Sequence, residues 1–133
     1  MLKLKIITPG KMKEAWLEEA LAEYEKRLTG TVSIEWILKE VEPESPYICL
    51  DPNGTSMSSP EFSKFLYKEW ERCGCRLTFV IGGPTGLSPE ILRGASHLIS
   101  LSKLTFTHQH TRLILLEQIY RATQIEKGSD YHK

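Results

Sequence analysis

Leu77-Thr78-Phe79-Val80-Ile81-Gly82-Gly83-Pro84-Thr85-Gly86-Leu87-Ser88-Pro89-Glu90 is the stretch whose reading decides the fold. Its first five residues are uncharged and rich in β-branched and aromatic side chains, which suits a strand buried on both faces. Three glycines follow within five residues, at Gly82, Gly83 and Gly86. Ser88 and Pro89 then start a helix, the hydroxyl capping free backbone N–H groups and the proline standing at the first helical position. Strand, glycine turn and capped helix together form the ligand-binding corner of an open α/β sheet, where a small molecule can approach bare backbone at a strand's carboxyl end. Taken alone, the same glycines also suit a tight turn that binds nothing.

Working outward, Leu2 to Ile7 predicts a first strand, and Thr8-Pro9-Gly10 leads into a helix of about seventeen residues ending near Leu28. Met12, Trp16, Ala20 and Tyr24 recur every fourth position on its apolar face, which Leu17, Leu21 and Leu28 broaden. Val32 to Leu38 alternates as a half-buried second strand. Glu40 to Pro46 is acidic, holds two prolines and excludes a helix. Tyr47 to Leu50 predicts a short third strand closed by a turn at Asp51-Pro52-Asn53-Gly54. Ser58 and Glu61 fit a capping box for a helix reaching Arg72, with Gly74 at its end. After the organising stretch, a helix from Pro89 to about His97 is expected. Leu98 to Ser100 reads as a fifth strand and Leu101 to Thr107 as a loop. Thr107 would cap a long helix from His108 to Lys127. Leu113, Ile114, Leu115 and Leu116 make that helix apolar nearly all round, so it needs cover on more than one side, for which a second copy of the chain is a candidate. Strands alternating with helices give an α/β fold with a mostly parallel sheet of roughly five strands.

The 133 residues read as a single domain, 1–133, with 17 basic and 17 acidic side chains. A neutral chain is neither a disordered polyelectrolyte nor a strongly basic nucleic-acid binder, although a local basic patch still attracts phosphate. No apolar run has the length of a membrane span, and Cys49, Cys73 and Cys75 make a poor disulfide framework, so a cytoplasmic protein is expected.

The glycine turn lacks the Gly-Lys-Ser/Thr of a nucleotide phosphate loop and, with Pro84 at the second glycine position, the dinucleotide fingerprint. Cys73-Gly74-Cys75 lacks metal-ligand spacing and reads as a helix end. His108 and His110 lie two apart on a helix, point in different directions and make poor joint ligands; no metal is expected. His108 stands beside whatever the Leu101–Thr107 loop binds. The terminal Tyr131, His132 and Lys133 combine groups that stack on a base, move a proton and pair with phosphate, though termini commonly fray. Arg112 and Arg121 on the last helix are candidates for a basic surface.

Ile81 to Pro89, the run Ser100-Leu101-Ser102-Lys103-Leu104-Thr105-Phe106-Thr107-His108 and the terminal Tyr131-His132-Lys133 resemble, in order, the motifs of the large-subunit rRNA methyltransferase H family of SPOUT enzymes. Gly10-Lys11-Met12, Glu23-Tyr24 and Leu50-Asp51 add to the likeness, which spans nearly the whole chain. The resemblance implies a SPOUT-type α/β knot, in which the last helix is threaded to make a C-terminal trefoil. It implies a homodimer that methylates N3 of a pseudouridine in large-subunit rRNA on the assembled ribosome, using S-adenosyl-L-methionine. By resemblance, Leu50, Gly82, Leu101, Ser102, Lys103, Leu104, Thr105 and Phe106 hold the cofactor. The catalytic candidates are His132, Tyr131 and His108, and Lys133 and Arg112 would touch RNA. Methyl transfer from a sulfonium needs an in-line approach and a deprotonated ring nitrogen, so positioning supplies most of the catalysis. His132 is favoured as the base, because a tail from one subunit can close over the cofactor of the other. Three places depart from the family pattern. Thr107 and Asp130 stand where prolines are usual. The family also carries about twenty further residues between its second and third strands, and a parallel crossover between neighbouring strands needs a dozen or more, so these two strands should not be neighbours here. The alternative from another class is a non-catalytic ribosome-binding protein that retains the knotted fold; labelled methyl transfer separates the two.

Overall fold

In a computed structural model that describes Met1 to Lys133, the uncharged strand lies at the centre. The elements in chain order are β1 (Leu2–Ile7), α1 (Ala15–Leu28), β2 (Val32–Ile37), β3 (Ile48–Ser56), α2 (Ser59–Arg72), β4 (Arg76–Ile81), α3 (Pro89–Gly94), β5 (His97–Ser100) and α4 (His108–Lys127). One five-stranded sheet has the order β2-β1-β4-β3-β5, and every named pair is parallel. β2 and β3 are separated by β1 and β4, as the short connection between them requires. Phe79 of β4 registers with Ile6 on one side and Ile48 on the other, so the uncharged run meets apolar neighbours across both ladders.

The alternation of β1 divides the two faces of the sheet. Leu4 and Ile6 enter the main core with Leu17 and Leu21 of α1, Phe62 and Leu66 of α2, and Leu115 and Ile119 of α4. The opposite face is covered only in part. There Ile7, Cys49 and Val80 pack beneath Ile91 and Leu92 of α3, while Lys3, Lys5, Ser33 and Glu35 are exposed. α4 contacts both α1 and α2, and this accounts for the cover its apolar middle demands. Leu115 and Leu116 are fully buried, whereas Leu113 and Ile114 stay half-buried on its outer side.

Several boundaries differ from the sequence reading, most of all those of α1, β3 and α3. α1 begins at Ala15, because the backbone before it bonds elsewhere: Gly10 N–H donates to the Leu38 carbonyl, and Gln109 accepts from Lys13 N–H and donates to the Lys11 carbonyl. Its buried stripe is Leu17, Leu21 and Leu28, while Trp16 is 48% exposed. β3 does not stop at Leu50. Leu50 and Thr55 both register with Ile99, so Asp51–Gly54 forms a bulge within a longer strand. The expected turn chemistry survives there, with Asp51 Oδ2 accepting from Asn53 N–H at 3.0 Å. Gly54 lets the strand run on beside β5, since a Cβ there would stand 2.6 Å from the Leu98 carbonyl carbon. α3 ends at Gly94, under the Tyr47 ring whose hydroxyl donates to the Ile91 carbonyl at 2.6 Å, and His97 already belongs to β5.

The expected caps are present. Ser58 and Glu61 form a reciprocal capping box, worth about 1 kcal/mol to α2. Ser88 and Thr107 accept from the third backbone N–H of α3 and α4. Cys73 ends α2, and Gly74 beyond it takes the left-handed conformation at φ +67°.

Candidate functional site

The carboxyl ends of β3, β4 and β5 open into a cleft of about 640 Å³, a size suited to a small organic ligand. Its walls are Leu50–Pro52 at the end of β3, the glycine turn after Ile81, and the loop from Leu101 that runs into the first turn of α4. The glycine turn folds on itself, with Gly86 N–H donating to the Gly83 carbonyl at 2.9 Å. A Cβ on Gly82 would lie 2.7 Å from the Gly86 carbonyl carbon, so any side chain there forces the turn open. The facing loop is shaped by its serines. Ser100 Oγ donates to the Ser102 carbonyl at 2.8 Å, and Ser102 Oγ accepts from Leu104 N–H at 3.0 Å.

Of the expected cofactor residues, Leu50, Gly82, Leu101, Ser102, Leu104, Thr105 and Phe106 line this cleft. Lys103 does not, and its side chain is exposed. Leu104 is 72% exposed and forms part of the rim. The sequence reading did not include Asp51, Pro52 or Thr111, which the β3 bulge and the helix spacing bring to the wall. The lining is apolar on several sides, carries one carboxylate at Asp51 and contains no lysine or arginine. That set suits a ligand with an apolar body and a positive charge. It is poor for a polyphosphate, which needs cations to offset its charge.

His108 lines the cleft from the first position of α4. Burial lowers its pKa below the ordinary histidine range, and the cations of Arg112 and Lys13 lower it further. The helix N-terminus acts in the same direction. His108 is therefore a neutral imidazole able to accept a proton. Cys49, next to Leu50 in β3 and packed under α3, is fully buried, and its thiol is pushed up to about 11 by burial and by Asp51, so it is no nucleophile.

Arg112, expected on an RNA-binding surface, is 0% exposed. Its Nη2 donates to the Pro9 carbonyl at 3.0 Å and its Nη1 faces Met12 Sδ at 2.9 Å, while Nε has no partner. It lies one turn after His108, on the face of α4 packed against the core, and cannot reach a phosphate from there. Arg112 ties the Pro9–Met12 segment to α4 instead.

The tail does not fray away from the helix. Gly128 turns the chain at φ +74°, and Ser129 N–H donates to the Gln124 carbonyl. Tyr131 and His132 then run back along α4, to Glu117 and Arg121. The Tyr131 hydroxyl donates to Glu117 Oε2 at 2.9 Å, and its ring stands edge-on to Tyr120 at 4.9 Å between centroids. Burial and the Glu117 contact push the Tyr131 phenol up to about 12, so it remains a donor. Lys133 is exposed. Arg121, a candidate for a basic surface, is instead paired with Glu117 and turned to the tail; Glu117 is not among the candidates from the sequence, although the four-residue spacing of the two on one helix face is visible there.

The family model for predicted SPOUT methyltransferases matches residues 31–132. The chain is 55% identical to a ribosomal RNA large subunit methyltransferase H of Protochlamydia amoebophila, over 141 aligned positions that cover 100% of both chains. It is 40% identical to a putative ribosomal RNA large subunit methyltransferase H of Methanocorpusculum labreanum, over 159 positions covering 99% of this chain and 100% of the relative. Among solved structures, a probable methylase family protein of Haemophilus influenzae superposes with a TM-score of 0.63 at 9% identity, covering 99% of this chain and 70% of that one. A probable methyltransferase of Bordetella pertussis gives 0.61 at 8% identity, covering 90% and 95%. These two structural likenesses concern the fold alone.

Proposed function

The chain belongs to the SPOUT methyltransferase family and, within it, to the large-subunit rRNA methyltransferase H group; from that premise we propose that it methylates N3 of a pseudouridine in large-subunit rRNA. The donor is S-adenosyl-L-methionine, the working form a homodimer, and the substrate the assembled ribosome in the cytoplasm. No helix of the chain is long and apolar enough to cross a membrane.

The observation that carries the reading is the chemistry of the cleft lining. Leu50, Ile81, Leu101 and Phe106 offer the apolar walls an adenine ring requires, and Asp51 offers a carboxylate to a ligand with a positive sulfur. With no lysine or arginine in the wall, a phosphorylated cofactor is disfavoured and a sulfonium is not repelled. When bound, S-adenosyl-L-methionine supplies an electrophilic methyl group on a positively charged sulfur. The work left to the protein is to align the ring nitrogen and to take its proton. His108, neutral and at the cleft wall, accepts that proton in place of His132, the base favoured from the sequence, whose Nδ1 faces Arg121. Tyr131 and His132 of a second protomer complete the cleft, and the exposed Lys133 and Lys103 meet the RNA backbone. A neutral chain with few free cations at the site suits a substrate recognised through ribosomal shape more than through raw charge.

The test combines two measurements. Calorimetric titration with S-adenosyl-L-methionine should saturate, and labelled methyl should pass to large-subunit rRNA in purified ribosomes lacking the modification. Ribosome binding without transfer would replace the enzyme reading with the non-catalytic binder.

A further inference from the structure

We infer that Glu117 and Arg121 are positioning residues that clamp the C-terminal tail and make His132 present an N–H donor through Nε2, leaving the acceptance of the proton to His108. The inference rests on the reading above that the tail completes the active site.

Glu117 and Arg121 form a two-point ion pair, with Arg121 Nη2 on Glu117 Oε2 at 2.9 Å and Nε on Oε1 at 3.4 Å. Both side chains are partly buried, at 24% and 21% exposure, so solvent weakens the pair less than on an open surface. The pair grips the tail in three ways. Glu117 Oε2 accepts the Tyr131 hydroxyl, the Arg121 guanidinium stands 5.0 Å from the centre of the Tyr131 ring, and Arg121 Nη1 meets His132 Nδ1 at 3.0 Å.

The last contact fixes the chemistry of His132. A guanidinium has donors and no acceptor, so Nδ1 must be the accepting nitrogen. A neutral imidazole carries a single N–H, which then sits on Nε2. The nitrogen left for the substrate is therefore a donor. As N3 loses its proton, negative charge spreads onto the neighbouring ring carbonyl oxygens, and a fixed N–H aimed at one of them lowers the barrier. Tyr131 keeps its phenolic proton and cannot serve as the base either. The two histidines thus divide the labour: the cleft imidazole takes the proton, and the tail imidazole stabilises the charge it leaves behind.

Nitrogen-15 NMR of the full-length, histidine-labelled protein tests the geometry without activity. His132 should be the Nε2–H tautomer, and Arg121→Gln should release it to a mixture; an Nδ1–H tautomer in the unaltered chain overturns the inference. Kinetics on ribosomes test the role. His132→Ala should lose about 100-fold in kcat, the cost of one transition-state donor, while His132→Gln, which keeps an N–H at that place, should recover to within about 10-fold of the parent. Donor affinity should stay unchanged in both. His132→Gln as inactive as His132→Ala would overturn the donor role whatever the tautomer. A chain ending at Asp130 separates the two levels. Full turnover would remove the tail reading and this inference together. Loss of turnover in that chain, with the parent tautomer Nδ1–H, would leave the tail in the site and discard the clamp.

Discussion

The first turn and the second half of α4 do opposite things with charge. At its start the helix presents a neutral histidine to a cleft wall without lysine or arginine, over a buried guanidinium that has no anionic partner. Further along, the same helix presents a matched pair, Glu117 with Arg121, that holds an aromatic ring and an imidazole from the tail. His108 and Arg121 stand about 20 Å apart along the axis at the α-helical rise. A tail docked on Glu117 and Arg121 therefore stays away from its own cleft. The two halves of the proposed chemistry meet only if the tail leaves its clamp or if a second chain sets its cleft against this one.

The sharpest way to break that comparison is complementation. A chain with a blocked cleft, Gly82→Val or Ser102→Trp, and a chain ending at Asp130 should each be inactive on ribosomes. Refolded together they should recover about a quarter of parent turnover, the share of sites that pair a sound cleft with a sound tail after random association. No recovery, with mixed dimers confirmed by mass, would place tail and cleft in one protomer and remove the two-chain site.

A smaller effect separates the two uses of arginine on this helix. Arg112→Ala should cost about 3 kcal/mol through the lost buried side chain and its bond to Pro9, lowering the melting temperature by about 10 °C. The salt dependence of ribosome binding should not change, because a residue with no exposed surface neutralises no phosphate. A flatter salt slope in this variant would return Arg112 to the RNA interface.

Much of the first half of this contrast was legible in the sequence. The uncharged strand, the glycine turn and the Ser88, Thr107 and Ser58 caps act locally, so their residues announce them. The Asp51–Gly54 turn was recognised as turn chemistry but not as a bulge, because only pairing with β5 carries the strand on to Ser56. Arg112 was misread for a similar reason. An arginine on a helix reads as solvated unless one knows which face the core claims, and here the Pro9 carbonyl and the covering helices claim it. The chemistry of the tail residues is legible in the sequence, but the clamp that holds them is not. Arg121 reads as part of a basic surface and Glu117 as an ordinary helix charge, because only the turn at Gly128 brings the chain back over them.

The smallest expected effect tests whether the start of α4 is tuned independently of the far clamp. Lys13 is exposed and is the weakest of the three influences that keep His108 neutral, after burial and Arg112. Lys13→Glu should raise the pKa of His108 at low salt, and by less as salt screens the added charge. The sign follows from the base role. His108 must be unprotonated to act, so the acid limb of kcat lies below the ordinary histidine value of 6.5 in the parent and moves up in the variant. Stability carries the same sign. As pH falls the unfolded chain takes the proton first, so the parent loses stability below the ordinary histidine range, and the variant loses less of it. The tautomer of His132, about 20 Å along the helix, should not respond. An acid limb that shifts together with the His132 signal would mean that the two ends titrate as one unit, and the division of labour between them would fall.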